Sequence, residues 1–142
     1  MLDGCVSWPP ELAERYRAEG YWRGEVLSDL GREWARTDPG RTALVTADQR
    51  VTYGDLDRRA DRLAAGFRAR GIGRHDRVVV QLPNGVEFVV VCLALFRLGA
   101  LPVLALPAHR RAEIGHLCAH TEAVAYVTVD QVQGFDLRKL AA

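Results

Sequence analysis

The stretch that most constrains the fold is Arg77-Val78-Val79-Val80-Gln81-Leu82, a β-branched run with no polar alternation. A strand with one wet face alternates apolar and polar residues, whereas a strand covered on both faces does not, and such strands belong to parallel sheets. Pro83 ends the run. The segment Val86 to Leu98 follows, apolar nearly all round, and stops at Gly99, where a left-handed C-cap is required. Pro102 to Leu106 reads as the next strand. Strand, helix and strand in this order make a crossover unit, and such units are right-handed and pair their strands in parallel.

The same rhythm extends in both directions. Downstream, Arg110 to His120 reads as a helix and Ala125 to Val129 as a strand. Upstream, Thr52-x-x-Asp55 has the spacing of a capping pair, and Leu56, Ala60, Leu63, Ala64 and Phe67 then line one face of a helix ending near Gly71. The opposite face of that helix, with Asp57, Arg58, Asp61, Arg62 and Arg68, is expected to be solvated. Ala43 to Thr46 and Arg50 to Thr52 read as a hairpin with a three-residue loop at Ala47-Asp48-Gln49. Before it lie two helices, Glu11 to Ala18 and about Leu27 to Arg36, the second with Leu27, Leu30 and Trp34 on one face. Trp8, Tyr16, Tyr21 and Trp22 are expected to pin this lead onto the domain.

The predicted fold class is therefore α/β: a mostly parallel sheet with crossover helices on both faces, preceded by a short helical lead and a small hairpin. Residues 1–40 form the lead and 41–142 the α/β lobe. A chain of 142 residues suits one domain, and such a chain buries roughly 70% of its unfolded surface. The 19 basic and 18 acidic residues leave a formal charge of +1, which supplies no electrostatic footprint for nucleic acid or an anionic membrane. Arg97, Gly99 and Pro102 interrupt the most apolar window, Phe88 to Leu106, so a transmembrane helix is not expected. Cys5, Cys92 and Cys118 are widely spaced and odd in number, the pattern of reduced thiols, and no secretory signal is visible; a cytoplasmic location is the expectation.

Motifs with chemistry of their own are few. Gly71-Ile72-Gly73 follows a helix where a dinucleotide fingerprint must follow a strand, so a helix end is the reading. Ser7 and Ser28 lie outside any nucleophile elbow. His116 and His120 are four apart and could share a helical face, but Cys118 projects about 200° round from His116; no metal site is expected, and Cys118 should pack with Ile114 and Leu117. In open parallel sheets ligands bind beyond the carboxyl ends of the strands. Here those ends are Pro83-Asn84, Pro107-Ala108-His109 and Asp130, which makes His109 and Arg110 the candidates for ligand contact, together with Asn84, whose first expected role is to cap the following helix.

Several stretches taken together resemble the start of the acyl-adenylate-forming enzymes. Val51-Thr52-Tyr53-Gly54-Asp55-Leu56 is similar to their first core motif, and Leu95-Phe96-Arg97-Leu98-Gly99-Ala100-Leu101-Pro102-Val103 to their second. Trp8-Pro9-Pro10-Glu11 through Gly20-Tyr21-Trp22-Arg23-Gly24, with Ala105-Leu106-Pro107-Ala108-His109-Arg110, resembles the branch that ligates AMP to 2,3-dihydroxybenzoate or salicylate. The resemblance runs from about Ser7 to Leu140 and implies the first quarter or so of such an enzyme.

In that family ATP and magnesium activate an aromatic carboxylate to the acyl-adenylate, and the acyl group passes to the thiol of an aryl carrier protein in siderophore and related pathways. The glycine-rich phosphate loop and the catalytic lysines are not in this sequence. Lys139 is its single lysine, and the residues around it lack the glycines that let backbone N–H groups cradle a phosphate. No catalytic residue is therefore assigned, and no cofactor is expected to bind this chain alone. The expected partners are the missing C-terminal part or a full-length paralogue, with self-association through apolar surface near Ala125 to Val129. The alternative is a non-catalytic α/β binding or scaffold domain that associates with a partner chain supplying the missing lobe.

Overall fold

The computed structural model describes residues 6–132 and 134–140; Cys5 lies outside them. Two helices lead, α1 (Pro10–Ala18) and α2 (Leu27–Thr37), followed by the antiparallel hairpin β1 (Thr42–Val45) and β2 (Arg50–Thr52). The lobe continues through α3 (Tyr53–Ala69), β3 (Arg77–Gln81), α4 (Val86–Leu98), β4 (Leu101–Leu104), α5 (Arg111–His120) and β5 (Ala125–Thr128). It ends in a second hairpin, β6 (Gln131–Val132) and β7 (Phe135–Asp136), and a 3-10 turn, Leu137–Leu140.

β3, β4 and β5 form one parallel sheet in the order β4-β3-β5. The first crossover thus runs one way from β3 and the second returns past it, so right-handed connections put α4 and α5 on opposite faces. This explains the unalternating valines. Val78 and Val80 face α3 and α4, packing with Ala64, Val91, Ala94 and Leu95, while Val79 faces α5 with Ala105 and Ile114. All three valines are fully buried. α4 is apolar all round because it serves two clusters: Val91, Ala94, Leu95 and Leu98 lie on the sheet, and Val86 and Val90 lie under the hairpin with Val51 and Leu56.

Local chemistry fixes the boundaries. The Thr52 hydroxyl accepts a hydrogen bond from the Asp55 N–H (3.2 Å) and donates to the Asp55 carboxylate (3.1 Å), starting α3 as the capping spacing requires. Gly99 ends α4 at φ +69°, the left-handed cap. The helix spans agree with expectation to within a residue or two. The hairpin loop has four residues, Thr46 to Gln49, closed by Thr46 N–H on the Gln49 carbonyl at 2.9 Å, and β1 carries a register shift between Thr42 and Leu44.

The first hairpin forms its own two-stranded sheet ahead of the parallel sheet, and β6-β7 is an addition with no counterpart in the sequence reading. Three expectations are corrected. Asn84 does not cap α4: it is exposed, and Gly85 occupies the cap position in extended backbone. The polar face of α3 is not simply solvated, since Asp57 and Asp61 both bind Arg97 of α4. On α2, Leu27, Leu30 and Trp34 share a face as their spacing implies, and all three are exposed. Apolar exposure at the sheet lies chiefly on and just after β4, at Leu101, Leu104 and Leu106, with Val124 beside β5, whereas Ala125 to Val129 are half-buried.

The lead holds itself together through its rings. Trp8, Tyr16 and Trp22 meet edge to face with centroids 5.4–5.8 Å apart, and Tyr21 joins Tyr16 at 6.1 Å. None of these four residues belongs to the three core clusters of the lobe.

Candidate functional site

The order β4-β3-β5 places a topological switch at the carboxyl ends of β3 and β4, since the connection leaving β3 goes to one face and that leaving β4 to the other. Gln81 is the last residue of β3. It is 0% exposed, a polar residue buried at the end of an apolar strand. Its Nε2 donates to the carbonyls of Leu106 (2.9 Å) and His109 (3.0 Å), and its Oε1 accepts the hydroxyl of Tyr126. The Gln81 carbonyl accepts the Thr128 hydroxyl at 3.1 Å. One side chain therefore ties the loop after β4 to β3 and, through Tyr126, to β5.

His109 sits on that loop, half-buried, with its backbone N–H on the Leu106 carbonyl at 3.0 Å. Its Nδ1 is buried without a hydrogen-bond partner. Arg110 is turned inward: NH1 donates to the carbonyls of Pro107 (3.0 Å) and His109 (2.8 Å), and the guanidinium lies 4.2 Å from the centroid of the Phe135 ring, a cation–π contact. The second hairpin is thereby held against the loop. The Arg110 N–H is accepted by Glu113 at 2.8 Å; this and the bond from its own backbone N–H hold the Glu113 carboxyl below its ordinary range.

His109 and Arg110 are thus brought together with Gln81, Tyr126 and Thr128, and Asn84 is left outside on an exposed bend. Sequence reasoning missed Gln81. Its only signal was a polar residue closing an otherwise apolar buried strand. His116 and His120 are exposed, with rings stacked at 5.4 Å, and Cys118 packs beside Ile114 and Leu117. Cys92 on α4 is half-buried, and burial pushes its thiol pKa up, away from the reactive thiolate.

This edge does not fit a nucleotide triphosphate and magnesium. The Gln81 amide is engaged on two carbonyls, and Arg110 bridges two more while stacked on Phe135. Among the described residues no three His, Cys, Asp or Glu side chains converge as a metal would require. Lys139 lies exposed on the terminal 3-10 turn, its carbonyl accepting from Arg111 at 3.0 Å. What the arrangement does is tie the loop after β4 to the carboxyl edge of the sheet, the edge at which open α/β sheets take their ligands.

Residues 31–142 match the family of AMP-binding enzymes. The chain belongs to that family. Over 99% of its length it is 55% identical to triostin synthetase I of Streptomyces triostinicus, covering 27% of that protein. Over the same share it is 54% identical to the 2,3-dihydroxybenzoate-AMP ligase of Bacillus subtilis, covering 26% of it. Among solved structures, apo MbtA of Mycobacterium smegmatis superposes on 97% of this chain with a TM-score of 0.87 and 47% identity, again over 26% of the larger protein. The N-terminal subdomain of NpsA from Klebsiella oxytoca shares the fold at a TM-score of 0.70 and 24% identity. The chain spans about a quarter of the length of the relatives it matches. No helix among its described residues is long and apolar enough to cross a membrane.

Proposed function

We propose that this chain is the N-terminal quarter of an aryl-acid AMP ligase and supplies its scaffold: residues 1–40 the lead, residues 41–142 the wall on which the nucleotide and aryl pockets are assembled. The whole enzyme would join an aromatic carboxylate to the α-phosphate of ATP with magnesium, release pyrophosphate, and pass the acyl group to the thiol of an aryl carrier protein. The observation that carries the reading is 54% identity to a 2,3-dihydroxybenzoate-AMP ligase along 99% of the chain. In this role His109 and Arg110 shape the loop facing the pockets, and Asn84 is the outermost of the candidates. A cytoplasmic location belongs to the same reading.

Adenylation needs a carboxylate oxygen aligned on the α-phosphate and donors for the charge that develops there. The donors at this edge are engaged inside the protein, so the chain alone is expected to be inert. Leu101, Leu104 and Leu106 are then surface that the rest of the enzyme covers, and the isolated chain should self-associate through it.

The deciding experiment replaces the matching N-terminal quarter of the Bacillus subtilis ligase with this chain and measures ATP–pyrophosphate exchange with 2,3-dihydroxybenzoate and salicylate. The hybrid should exchange and the chain alone should not. Exchange by the 142-residue chain alone, or a folded hybrid that binds neither ATP nor an aryl acid, would sink the proposal.

A further inference from the structure

Asn84 is the only asparagine in the chain, and Gly85 follows it. The pair forms the bend between β3 and α4: Asn84 is exposed, Gly85 is half-buried, and α4 begins at Val86. Among the described residues nothing hydrogen-bonds to the Asn84 side chain or accepts the Gly85 N–H, although the Gly85 carbonyl takes the Val89 N–H at 3.4 Å. The two groups are therefore free, at a point where neither a sheet ladder nor a helix holds them.

An asparagine amide is attacked by the next main-chain nitrogen when that nitrogen is unbonded and unhindered, and glycine alone lacks the Cβ that would stand in the way. We propose that Asn84 is a self-modification site, which deamidates through Gly85 in the folded protein. The Gly85 nitrogen bonds to Asn84 Cγ and closes a five-membered succinimide; the Asn84 side-chain nitrogen leaves as ammonia, carrying the Gly85 proton. Water then opens the ring at either carbonyl. One opening gives aspartate in the normal linkage, and the other gives isoaspartate, whose main chain runs through the side chain and is longer by a methylene. Either product replaces a neutral amide by a carboxylate and takes the formal charge of the chain from +1 to 0. The new charge appears at the carboxyl edge of the sheet, where open α/β sheets take their ligands. This edge therefore becomes more negative as the protein ages. The assignment is independent of the function proposed above.

Incubation of the chain at mildly alkaline pH tests it, read by isoelectric focusing and by mass spectrometry with fragmentation of the tryptic peptide 78–97. An acidic form should accumulate with time, and fragment ions should place the change from amide to acid at residue 84 and not at Gln81. A sample unfolded in urea gives the rate of the unrestrained chain, and the folded protein should come within about tenfold of it, or about 1.4 kcal/mol on the barrier. Gly85→Ser is the variant of choice. Gly85 has φ −168°, extended backbone that any residue adopts; a Cβ there meets Glu87 Oε2 at 3.5 Å, an ordinary contact, and serine caps a helix at least as well as glycine. That variant should fold and slow the change by about tenfold. The proposal is overturned if the folded parent lags the unfolded chain by more than that factor, if the change falls on a glutamine, or if the folded Gly85→Ser chain deamidates as fast as the parent.

Discussion

Replacing Gln81 by leucine keeps the volume nearly constant and deletes the three hydrogen bonds of its side chain. The Leu106 and His109 carbonyls each lose one of two donors, keeping the His109 N–H and Arg110 NH1 respectively, and the Tyr126 hydroxyl loses its acceptor. A hydrogen bond contributes about 1 kcal/mol net. Three of them lost should cost about 3 kcal/mol in total. For a domain of this size that lowers the melting temperature by roughly 10 °C. Gln81→Glu adds a sign that packing loss cannot imitate. The introduced carboxyl faces two carbonyl oxygens, so its pKa in the folded state is raised above the unfolded value of about 4.3. Its stability is fully present below that pH and is lost as pH rises through the folded value, at up to about 1.4 kcal/mol per pH unit. Thermal unfolding followed by far-ultraviolet circular dichroism from pH 4 to pH 8 measures both variants against the parent. A Gln81→Leu chain within about 0.5 kcal/mol of the parent, or a Gln81→Glu chain whose deficit does not change with pH, would refute the reasoning.

Three further expectations follow from other sites. Gly99→Ala forces a Cβ into left-handed backbone and to 3.2 Å from Arg74 Cγ, and should cost about 1–2 kcal/mol in urea unfolding; a neutral result would mean the cap is not needed. Arg97→Met leaves Asp57 without its partner in a mostly buried setting, while Asp61 keeps access to water, so the loss should be near the lower end of the ~3–5 kcal/mol range for broken buried pairs. Restoring stability by adding Asp57→Asn would identify the stranded charge as the cause, and failure to do so would point to packing. The Glu113 carboxyl should titrate by carbon NMR below the ordinary glutamate range, its contribution being present above the unfolded pKa and lost as pH falls through the folded one; a normal titration would dissolve the helix-start contact with Arg110.

Much of the lobe was legible because local rules and tertiary structure agree there. The unalternating valines, the Thr52 and Asp55 pair and Gly99 each carry a requirement that the structure meets. Asn84 failed because capping preference is local, whereas here the chain stays extended one residue further and Gly85 takes the position. β6 and β7, two residues each, are too short for any period to register. Arg97 looked like a polar break in an apolar helix until α3 was seen to supply its carboxylates. The candidate site was half legible: strand ends pointed to His109 and Arg110, but the residue organising them was hidden, since the partners of Gln81 come from segments that only the topology brings together.

The three valines of β3 have a cost in specificity. When both faces of a strand are apolar, sliding it by one residue exchanges valine for valine, so hydrophobic pattern cannot penalise the slip as it does where one face is wet. Alignment must then be written at the two ends of the strand. Gln81 does so at one end, by reaching Leu106, His109 and Tyr126; at the other, Arg77 donates through Nε to the Thr121 carbonyl at 2.6 Å and pairs with Glu122. Moved by a single position, either side chain would point to the wrong layer of the sheet. The central strand is thus greased along its length and pinned at its tips, and it is the polar tips that select one register from several of nearly equal burial.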